Sequence, residues 1–246
     1  MSGSSQDKEL SGSDSVRRRQ VRSYVLRGGR LTEGQKRALT EIWPHFGIED
    51  GDDVLDLGEL FGNGAPVIME IGFGNGEATW QMARAHPGEN YLGVEVHQPG
   101  VGHLLLVIEK HGITNIRIAC ADATDFLRTR IPEESLAGVR IYFPDPWPKK
   151  RHHKRRIIQP SFVRLLASRM RSGAILHLAT DWEPYAEHML EVLDSVDGFE
   201  ILPTNGDCHY KPDWRPQTKY EKRGERLGHK VKDLLFRRMA TTPCSG

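Results

Sequence analysis

The chain has 246 residues, of which 38% are hydrophobic and 27% charged, and this fits one soluble α/β domain with an extension. Its 34 Lys and Arg are balanced by 33 Asp and Glu, so any binding of polyanions must come from local clusters of charge. No apolar run approaches the roughly 20 residues that span a bilayer, and the N-terminus lacks the apolar segment of a signal peptide. We therefore expect a cytoplasmic protein that does not contact membranes. The isolated Cys120, Cys208 and Cys244 lack CxxC spacing, which argues against a disulfide framework and a zinc site.

The first 30 residues are predicted to form a flexible basic arm. Residues 1–15 include eight Ser or Gly, and Arg17, Arg18, Arg19 and Arg22 follow. This composition has too few apolar groups to offset the entropy of ordering. Two roles stay open for the arm, a solvated tail or a contact with a polyanion that orders on binding.

Residues 31–64 are predicted to form an N-terminal helix and a connector, and residues 65–241 the main domain. The apolar positions between Thr32 and Trp43 indicate one helix that ends before Pro44.

Strands and helices alternate through the main domain. The predicted strands are residues 67–71, 91–96, 115–120, 139–143, 174–179, 199–202 and 234–239. The predicted helices are residues 77–85, 101–108, 162–170 and 185–193. Strands separated by helices predict an α/β fold with a doubly wound, mostly parallel sheet of about seven strands. Ligands of such sheets bind at the carboxyl ends of the strands.

A glycine-rich turn follows the first strand of this domain. Glu70 precedes Gly72, Gly74 and Gly76 in an ExGxGxG pattern, and closely spaced glycines let a ligand approach the backbone. The spacing differs from the GxGxxG of dinucleotide-binding proteins. Glu70 also suits a cationic ligand better than a pyrophosphate.

Acidic residues follow the next two strands as well. Glu95 lies 25 positions after Glu70, where a carboxylate can accept hydrogen bonds from both hydroxyls of a ribose. Asp122 follows the third strand, within reach of an adenine amino group. A single strand-end Glu is better explained by a salt bridge, but three acidic residues at three successive strand ends favour a ligand site.

Residues 141–156, with the sequence IYFPDPWPKKRHHKRR, join a stiff loop to a basic cluster. Three prolines fix φ around Asp145 and Trp147 and so hold both side chains in place. Residues 149–156 contain six Lys or Arg and two His without an acidic residue, which suits a polyanion because each neutralised phosphate releases counterions. Trp147 either stacks on a base or packs internally.

Five separated motifs occur in an order that resembles class I S-adenosylmethionine-dependent methyltransferases over residues 65–240. The motifs EIGFGNGE, GVEVH, YFPDPWPKKRHHKRR, ATDWEPYAEHM and TKYEKRG are more narrowly similar to the bacterial tRNA (guanine-N7-)-methyltransferase family. The resemblance implies a Rossmann-like fold, S-adenosylmethionine as cofactor and tRNA as partner. It further implies methyl transfer to N7 of a tRNA guanosine, that of the variable loop at position 46, by a monomer without an accessory subunit.

The resemblance also implies three sets of site residues and no metal. The cofactor is expected to contact Glu70, Gly72, Gly74, Glu95, Asp122 and Asp145, and Asp145 is also the expected catalytic residue. The substrate is expected to contact Lys149, Asp181, Thr218, Lys219, Tyr220 and Glu221. The RNA is expected to contact Arg151, His152, His153, Lys154, Arg155 and Arg156.

Methylation of guanine N7 removes no proton from that atom, so the reaction needs positioning and electrostatic stabilisation rather than a strong base. Asp145 fits the role of orienter and stabiliser. Asp181 is a further candidate for contact with the base, and it can also cap the following helix. The segment 218–221 on its own indicates only an exposed basic loop. Since N7 faces the deep, narrow groove of A-form RNA, the enzyme must reach an exposed or extruded guanosine.

Three other interpretations stay open. The Asp145-Pro146-Trp147 sequence is similar to the acidic-Pro-aromatic motif of adenine amino-group methyltransferases, so an RNA adenine methyltransferase is one. A nicotinamide oxidoreductase is another, although the glycine spacing and Glu70 disfavour it. The third is an inactive RNA-binding module.

Overall fold

The computed structural model describes residues 23–24, 29–203 and 211–240. Most of the predicted arm, together with Cys208 and Cys244, lies outside these residues. Among the helices of the described residues, none has the length and hydropathy to cross a bilayer.

Helices and strands alternate along most of the described chain. The helices are α1 (Glu33–Glu41), α2 (Trp43–Phe46), α3 (Leu57–Phe61), α4 (Glu77–Ala85), α5 (Gln98–His111), α6 (Ala123–Arg130), α7 (Pro160–Arg169), α8 (Glu183–Asp194) and α9 (Lys219–Arg226), with a 3-10 helix at Lys150–Arg155. The strands are β1 (Gly47–Ile48), β2 (Val67–Ile71), β3 (Asn90–Val94), β4 (Ile116–Ala119), β5 (Leu136–Tyr142), β6 (Met170–Thr180), β7 (Phe199–Ile201) and β8 (Lys232–Arg238).

The strands form one mostly parallel sheet in the order β1-β4-β3-β2-β5-β6-β8-β7. Strands β7 and β8 pair antiparallel, and β8 is antiparallel to β6. The predicted α/β class is confirmed, and β1 makes the sheet one strand larger than predicted. The chain winds from β2 outward to β4 and then returns to β5 on the other side of β2. This reversal opens a crevice at the carboxyl ends of β2 and β5, where ligands of such folds bind.

Both faces of the sheet are covered, which explains the continuous apolar strands. On β2, Val67 and Met69 belong to the core shared with α6, α7 and α8, and Ile68 to the core shared with α4 and α5. Since side chains alternate along a strand, Glu70 points to the same face as Ile68.

The N-terminal helix is confirmed, but Pro44 does not end the helical region. Thr32 caps α1 with a capping box, in which its side chain accepts from the Gln35 backbone N–H. Pro44 instead lies in the first turn of α2, where no backbone N–H is needed. Helix α1 packs on α5, and the Gln35 side-chain amide donates to the Pro99 carbonyl at 2.9 Å. The division at residues 64 and 65 stays a prediction, and β1 from the first part pairs with β4 of the second.

Two local predictions were wrong. The segment that begins at Thr218 is not an exposed loop, because Thr218 caps helix α9 with its side chain. Asp181 does not cap α8, since Trp182 occupies the N-cap position without a side-chain bond. The sequence interpretation also missed α6, which follows Asp122.

Candidate active site

A cavity of about 220 Å³ lies at the carboxyl ends of β2, β3 and β5. Its walls are largely apolar, with Ile71, Val94 and Ile141 from the strand ends. Its charged lining residues in the described part of the chain are Glu95 and Asp145, both acidic. The cavity therefore offers apolar surface to a flat ring and negative charge to a cationic group.

Glu95 holds the glycine-rich turn against the end of β3. Gly72 and Gly74 adopt φ values of 72° and 58°, in the left-handed region that glycine tolerates. The Gly74 N–H donates to Glu95 Oε2 at 2.8 Å, while Oε1 accepts from the N–H groups of Val96 and His97 at 2.7 and 3.0 Å. A carboxylate has about four acceptor positions, so this arrangement leaves capacity for a ligand hydroxyl.

Glu70 lies outside the lining of the cavity. The residue is 3% exposed, and its Oε2 accepts from Thr79 Oγ1 at 2.7 Å. Burial raises the pKa of its carboxyl to about 7, against the opposing effects of the Thr79 bond and of Arg140. Because Thr79 belongs to α4, the bond joins the strand before the glycine turn to the helix after it. Glu70 thus supports the turn without contacting the cavity.

Asp122 caps helix α6 and faces a second cavity. Its Oδ1 accepts from the N–H groups of Thr124 and Asp125 at 2.8 and 3.1 Å. The second cavity, of about 380 Å³, is lined by Asp122 and by basic side chains that include Lys154. The two cavities adjoin, since Tyr24 is among the residues that line both.

Asp145 lies at the mouth of the first cavity, on a loop held at both ends. Phe143 and Trp147 flank it with φ values of 51° and 43°, which non-glycine residues adopt at an energetic cost and mostly at functional sites. The Trp147 indole N–H donates to the Ser23 carbonyl at 3.1 Å. The Arg155 guanidinium covers its ring. For Trp147 the structure shows packing, with one ring face already occupied.

Arg156 supports the loop of Asp145 from the protein interior. Its burial does not fit the predicted contact with an RNA phosphate. The residue is 3% exposed, and its Nε donates to the Pro146 carbonyl at 2.9 Å. Its guanidinium lies 4.8 Å from the Tyr185 ring centroid and 3.2 Å from His153 Nε2. Burial lowers the pKa of the Arg156 guanidinium. This end of the basic cluster therefore belongs to the interior.

The exposed part of the cluster is shorter than predicted. Its exposed cations are Lys149, Lys150, Arg151 and Lys154, and none of these four has a carboxylate partner within the described residues. His152 is half-buried with its ring edge-on to Trp147, and burial followed by the surrounding cations lowers its pKa. Arg155 also donates to the Tyr24 carbonyl at 3.1 Å.

Asp181 and Tyr220 come together beside the mouth of the cavity. The Tyr220 hydroxyl lies 3.5 Å from Asp181 Oδ2, and the same oxygen is 3.1 Å from His229 Nδ1. The Tyr220 ring is 5.0 Å from that of Phe143, a residue of the cavity wall. Burial first, then Asp181 and Asp145, raises the pKa of the Tyr220 hydroxyl. Asp145, Asp181 and Tyr220, all predicted site residues, are therefore close together.

The other residues of segment 218–221 are not among the residues that line the cavity. Thr218 Oγ1 accepts from the Glu221 N–H at 3.2 Å, and the Lys219 N–H donates to Glu77 at 2.9 Å. Glu221 is 3% exposed and pairs with Arg215. This burial does not fit the predicted contact of Glu221 with the base or ribose. Sequence reasoning missed Arg215 as a buried residue, because the segment around it is rich in charge.

Comparison with known proteins identifies the family. A family model described as putative methyltransferase matches residues 64–234. A tRNA (guanine-N(7)-)-methyltransferase from Alcanivorax borkumensis is 53% identical over 222 residues, which cover 90% of this chain and 93% of that protein. One from Aeromonas hydrophila is 51% identical over 221 residues, with 90% and 93% covered. The chain belongs to the tRNA (guanine-N7-)-methyltransferase family.

Membership in this family makes the protein an S-adenosylmethionine-dependent methyltransferase, and it excludes the oxidoreductase interpretation. The solved structure of the 16S rRNA methyltransferase KamB superposes with a TM-score of 0.57 at 15% identity, covering 80% of this chain and 99% of that one. A 16S rRNA (adenine(1408)-N(1))-methyltransferase from Catenulisporales acidiphilia gives 0.52 at 16% identity, with 78% and 98% covered. At these identities the likeness concerns the fold, that of class I methyltransferases.

The first cavity fits the methyl donor of this methyltransferase family. S-adenosylmethionine combines a ribose, an adenine and a sulfonium cation. Glu95 offers acceptor capacity for ribose hydroxyls, the apolar strand ends offer a surface for adenine, and the two carboxylates complement a positive charge. Glu70 bonds to Thr79 and Asp122 to the first turn of α6, and neither residue lines this cavity.

Proposed function

We propose that the protein transfers a methyl group from S-adenosylmethionine to N7 of a tRNA guanosine, that of the variable loop at position 46. The placement of Asp145 carries this proposal. Its carboxylate lies at the cavity mouth on a stiff loop, and exposed cations begin four residues later at Lys149. A tRNA bound to these cations would bring a nucleotide to the carboxylate. The names of the relatives, all tRNA (guanine-N(7)-)-methyltransferases, support the choice of substrate and atom.

The geometry suits a reaction that needs no proton removal. When bound, S-adenosylmethionine supplies an electrophilic methyl group, and guanine N7 has a lone pair to accept it. Asp145 accepts hydrogen bonds from guanine N1–H and the exocyclic amine, which orients the base. The same carboxylate stabilises the positive charge that develops on the purine. Proline on both sides keeps Asp145 in place, so little reorganisation accompanies the reaction.

Tyr220 and Asp181 provide the second side of the base site in this proposal. The Tyr220 side chain is exposed, with the residue 57% accessible, and a ring in that position can stack on a purine. Asp181 lies 3.5 Å from the Tyr220 hydroxyl and offers a further acceptor. Lys149 is exposed and lies four residues after Asp145 in the chain. We place the RNA phosphates on Lys149, Lys150, Arg151 and Lys154.

The other expectations about the active enzyme are part of this proposal. We expect a monomer without an accessory subunit that acts on tRNA in the cytoplasm. Sedimentation of the protein with and without tRNA tests the monomer, because a dimer would sediment faster at every concentration above its dissociation constant.

The decisive experiment is transfer of labelled methyl groups to unmodified tRNA, followed by nucleoside identification by mass spectrometry. We expect 7-methylguanosine, located at position 46 by fragment mapping. N6-methyladenosine would instead establish the adenine amino-group alternative, and an absence of incorporation would favour an inactive RNA-binding module.

The role of Asp145 is tested by Asp145→Asn. We expect turnover to fall by about 100-fold or more, since a developing charge loses its counter-charge, and cofactor affinity to fall by less, because Glu95 still faces the sulfonium. Asp197→Asn is the matched control, because this exposed residue precedes β7 at the end of the sheet opposite to the cavity. Normal turnover of Asp145→Asn would contradict the proposed role.

A further inference from the structure

We propose that Arg215 is a positioning residue of the methyl-transfer site. Its buried guanidinium holds helix α9 and the aromatic wall of the cavity in a fixed relation. The inference rests on the proposed function in one respect, that Tyr220 of α9 acts on the substrate base.

Arg215 joins two acidic residues from different parts of the fold. It is 2% exposed. Its Nε and Nη2 donate to the Asp233 carboxylate at 2.6 and 2.8 Å, and its Nη1 and Nη2 donate to the Glu221 carboxylate at 2.8 Å each. Asp233 lies in β8 and Glu221 in α9. Two bidentate contacts from one planar group leave little freedom for α9 to move relative to the sheet.

The Arg215 guanidinium also contacts the wall of the first cavity. Its central carbon lies 5.8 Å from the Tyr142 ring centroid and 5.9 Å from that of Phe143. Both rings line the cavity, and both distances fall within the range of cation–π attraction. Arg215 therefore contacts Phe143, the residue of the cavity wall against which the Tyr220 ring packs.

The neutral His177 links Asp233, a partner of Arg215, to the Tyr142 hydroxyl. His177 Nδ1 lies 3.2 Å from both the Trp214 indole nitrogen and the Tyr142 hydroxyl. Because an indole N–H can only donate, Nδ1 must accept, and His177 Nε2–H donates to Asp233 at 2.7 Å. Burial lowers the pKa of His177 to about 4, although Asp233 opposes this effect. The buried cluster consists of Arg215, Glu221, Asp233 and His177.

We infer that this buried cluster fixes the position of Tyr220. Tyr220 precedes Glu221 in α9, and its ring packs against Phe143 at 5.0 Å. Glu221 is held by Arg215 on one side and by the Thr218 cap on the other, with Lys211 at 3.5 Å. A loosened Glu221 would let the first turn of α9 shift. A displacement of about 1 Å at a reacting group can lower a rate by about 100-fold.

The test uses substitutions that keep the buried charge or the shape. Arg215→Ala would leave the buried Asp233 carboxylate without a counter-charge and threaten folding. Arg215→Lys keeps the charge but loses the bidentate geometry, and Glu221→Gln keeps the shape but loses one charged acceptor. Turnover, KM for tRNA, cofactor dissociation constant and melting temperature are measured for each, with assays well below the melting temperature.

Arg238→Lys is the matched control. Arg238 is a buried arginine at the far end of β8, and it donates to the backbone carbonyls of Ala167 and Met239. We expect Arg215→Lys and Glu221→Gln to lower turnover by about tenfold or more with cofactor affinity nearly unchanged. Arg238→Lys should lower the melting temperature while turnover stays normal.

Equal turnover losses in all three variants at matched losses of stability would show that the cluster is merely structural and overturn the proposal. Since total methyl incorporation is compared with that of the unsubstituted enzyme, the outcome does not depend on which nucleoside is methylated. Nucleoside identification on the unsubstituted enzyme tests the proposed function separately. If Arg215→Lys does not fold, Glu221→Gln decides alone.

Discussion

The central carbon of the Arg155 guanidinium lies 3.8 Å from the centroid of the Trp147 ring. This contact joins the basic cluster to the loop of Asp145, and the Trp147 indole N–H continues it to the Ser23 carbonyl. Ser23 and Tyr24 line the first cavity, whose walls fit S-adenosylmethionine. The loop, the cluster and the short segment at residues 23–24 therefore depend on one another.

Trp147→Phe should weaken cofactor binding more than it changes turnover. Phenylalanine keeps a ring for Arg155 but cannot donate to Ser23, and a lost hydrogen bond of this kind is worth about 1 kcal/mol, or about fivefold in affinity. Calorimetric titration with S-adenosylmethionine measures the change. Trp80→Phe is the control, because Trp80 stacks on His111 on the outer side of α4 and α5. Equal affinities of the two variants would contradict the contact to Ser23.

Cations of the cluster should differ in how they affect the salt dependence of tRNA binding. Arg151→Ala and Lys154→Ala should each reduce the slope of log affinity against log salt by about 1, because each removes one phosphate contact. Arg156→Lys should leave the slope unchanged and lower the melting temperature, since Arg156 bonds Pro146 inside the protein. Filter binding at several salt concentrations gives the slopes. A reduced slope for Arg156→Lys would show that the residue reaches RNA after all.

Glu95→Gln should impair cofactor binding. The amide nitrogen cannot accept from a backbone N–H, so either Gly74 or the pair Val96 and His97 loses its partner. Hydrogen bonds to a charged group contribute about 1.5–3 kcal/mol, which predicts an affinity lower by about 10- to 100-fold. Glu89→Gln, at the other end of β3, is the control, where the Glu89 carboxylate accepts only from the Tyr91 hydroxyl among the described residues. Similar affinities for both variants would contradict the assigned role of Glu95.

Glu70 should make the stability of the protein depend on pH near neutrality. Its folded-state pKa of about 7 lies above the ordinary 4.5, so the folded form binds the proton more tightly. The associated stabilisation is fully present below pH 4.5 and is lost as the pH rises through 7, with a total of roughly 3 kcal/mol. Glu70→Gln should remove this dependence and melt higher than the unsubstituted protein at pH 8. Parallel melting curves of the two proteins from pH 5 to 8 would argue against a buried, ionisable Glu70.

Much of the fold could be predicted because its signals are local. Residues 67–71 and 77–85 form a strand and a helix with the predicted bounds, since apolar runs and helical periodicity depend on neighbours in the chain. Helix α9 could not be predicted in this way, because its one buried residue is the charged Glu221. It is stable through the Thr218 cap and the pairing of Glu221 with Arg215.

In the candidate site, the positions of the residues at strand ends could be predicted, but the contacts of their side chains could not. Glu95 and Asp145 both line the cavity, because strand-end positions follow from the order of strands alone. Asp122 and Glu70 have the predicted strand-end positions, but their side chains bond to α6 and to Thr79. The direction of a side chain depends on the register of neighbouring elements, which a linear pattern does not contain.

The sequence by itself determined the fold class, the order of the motifs and the short distance between Asp145 and the basic cluster. Only the tertiary structure decided which charges face solvent. Arg151 is exposed while Arg156 is buried against Pro146 and Tyr185, and Glu221 is buried against Arg215. The reason is physical: a charge leaves water only where a partner with good geometry compensates for lost hydration, and these partners come from distant parts of the chain.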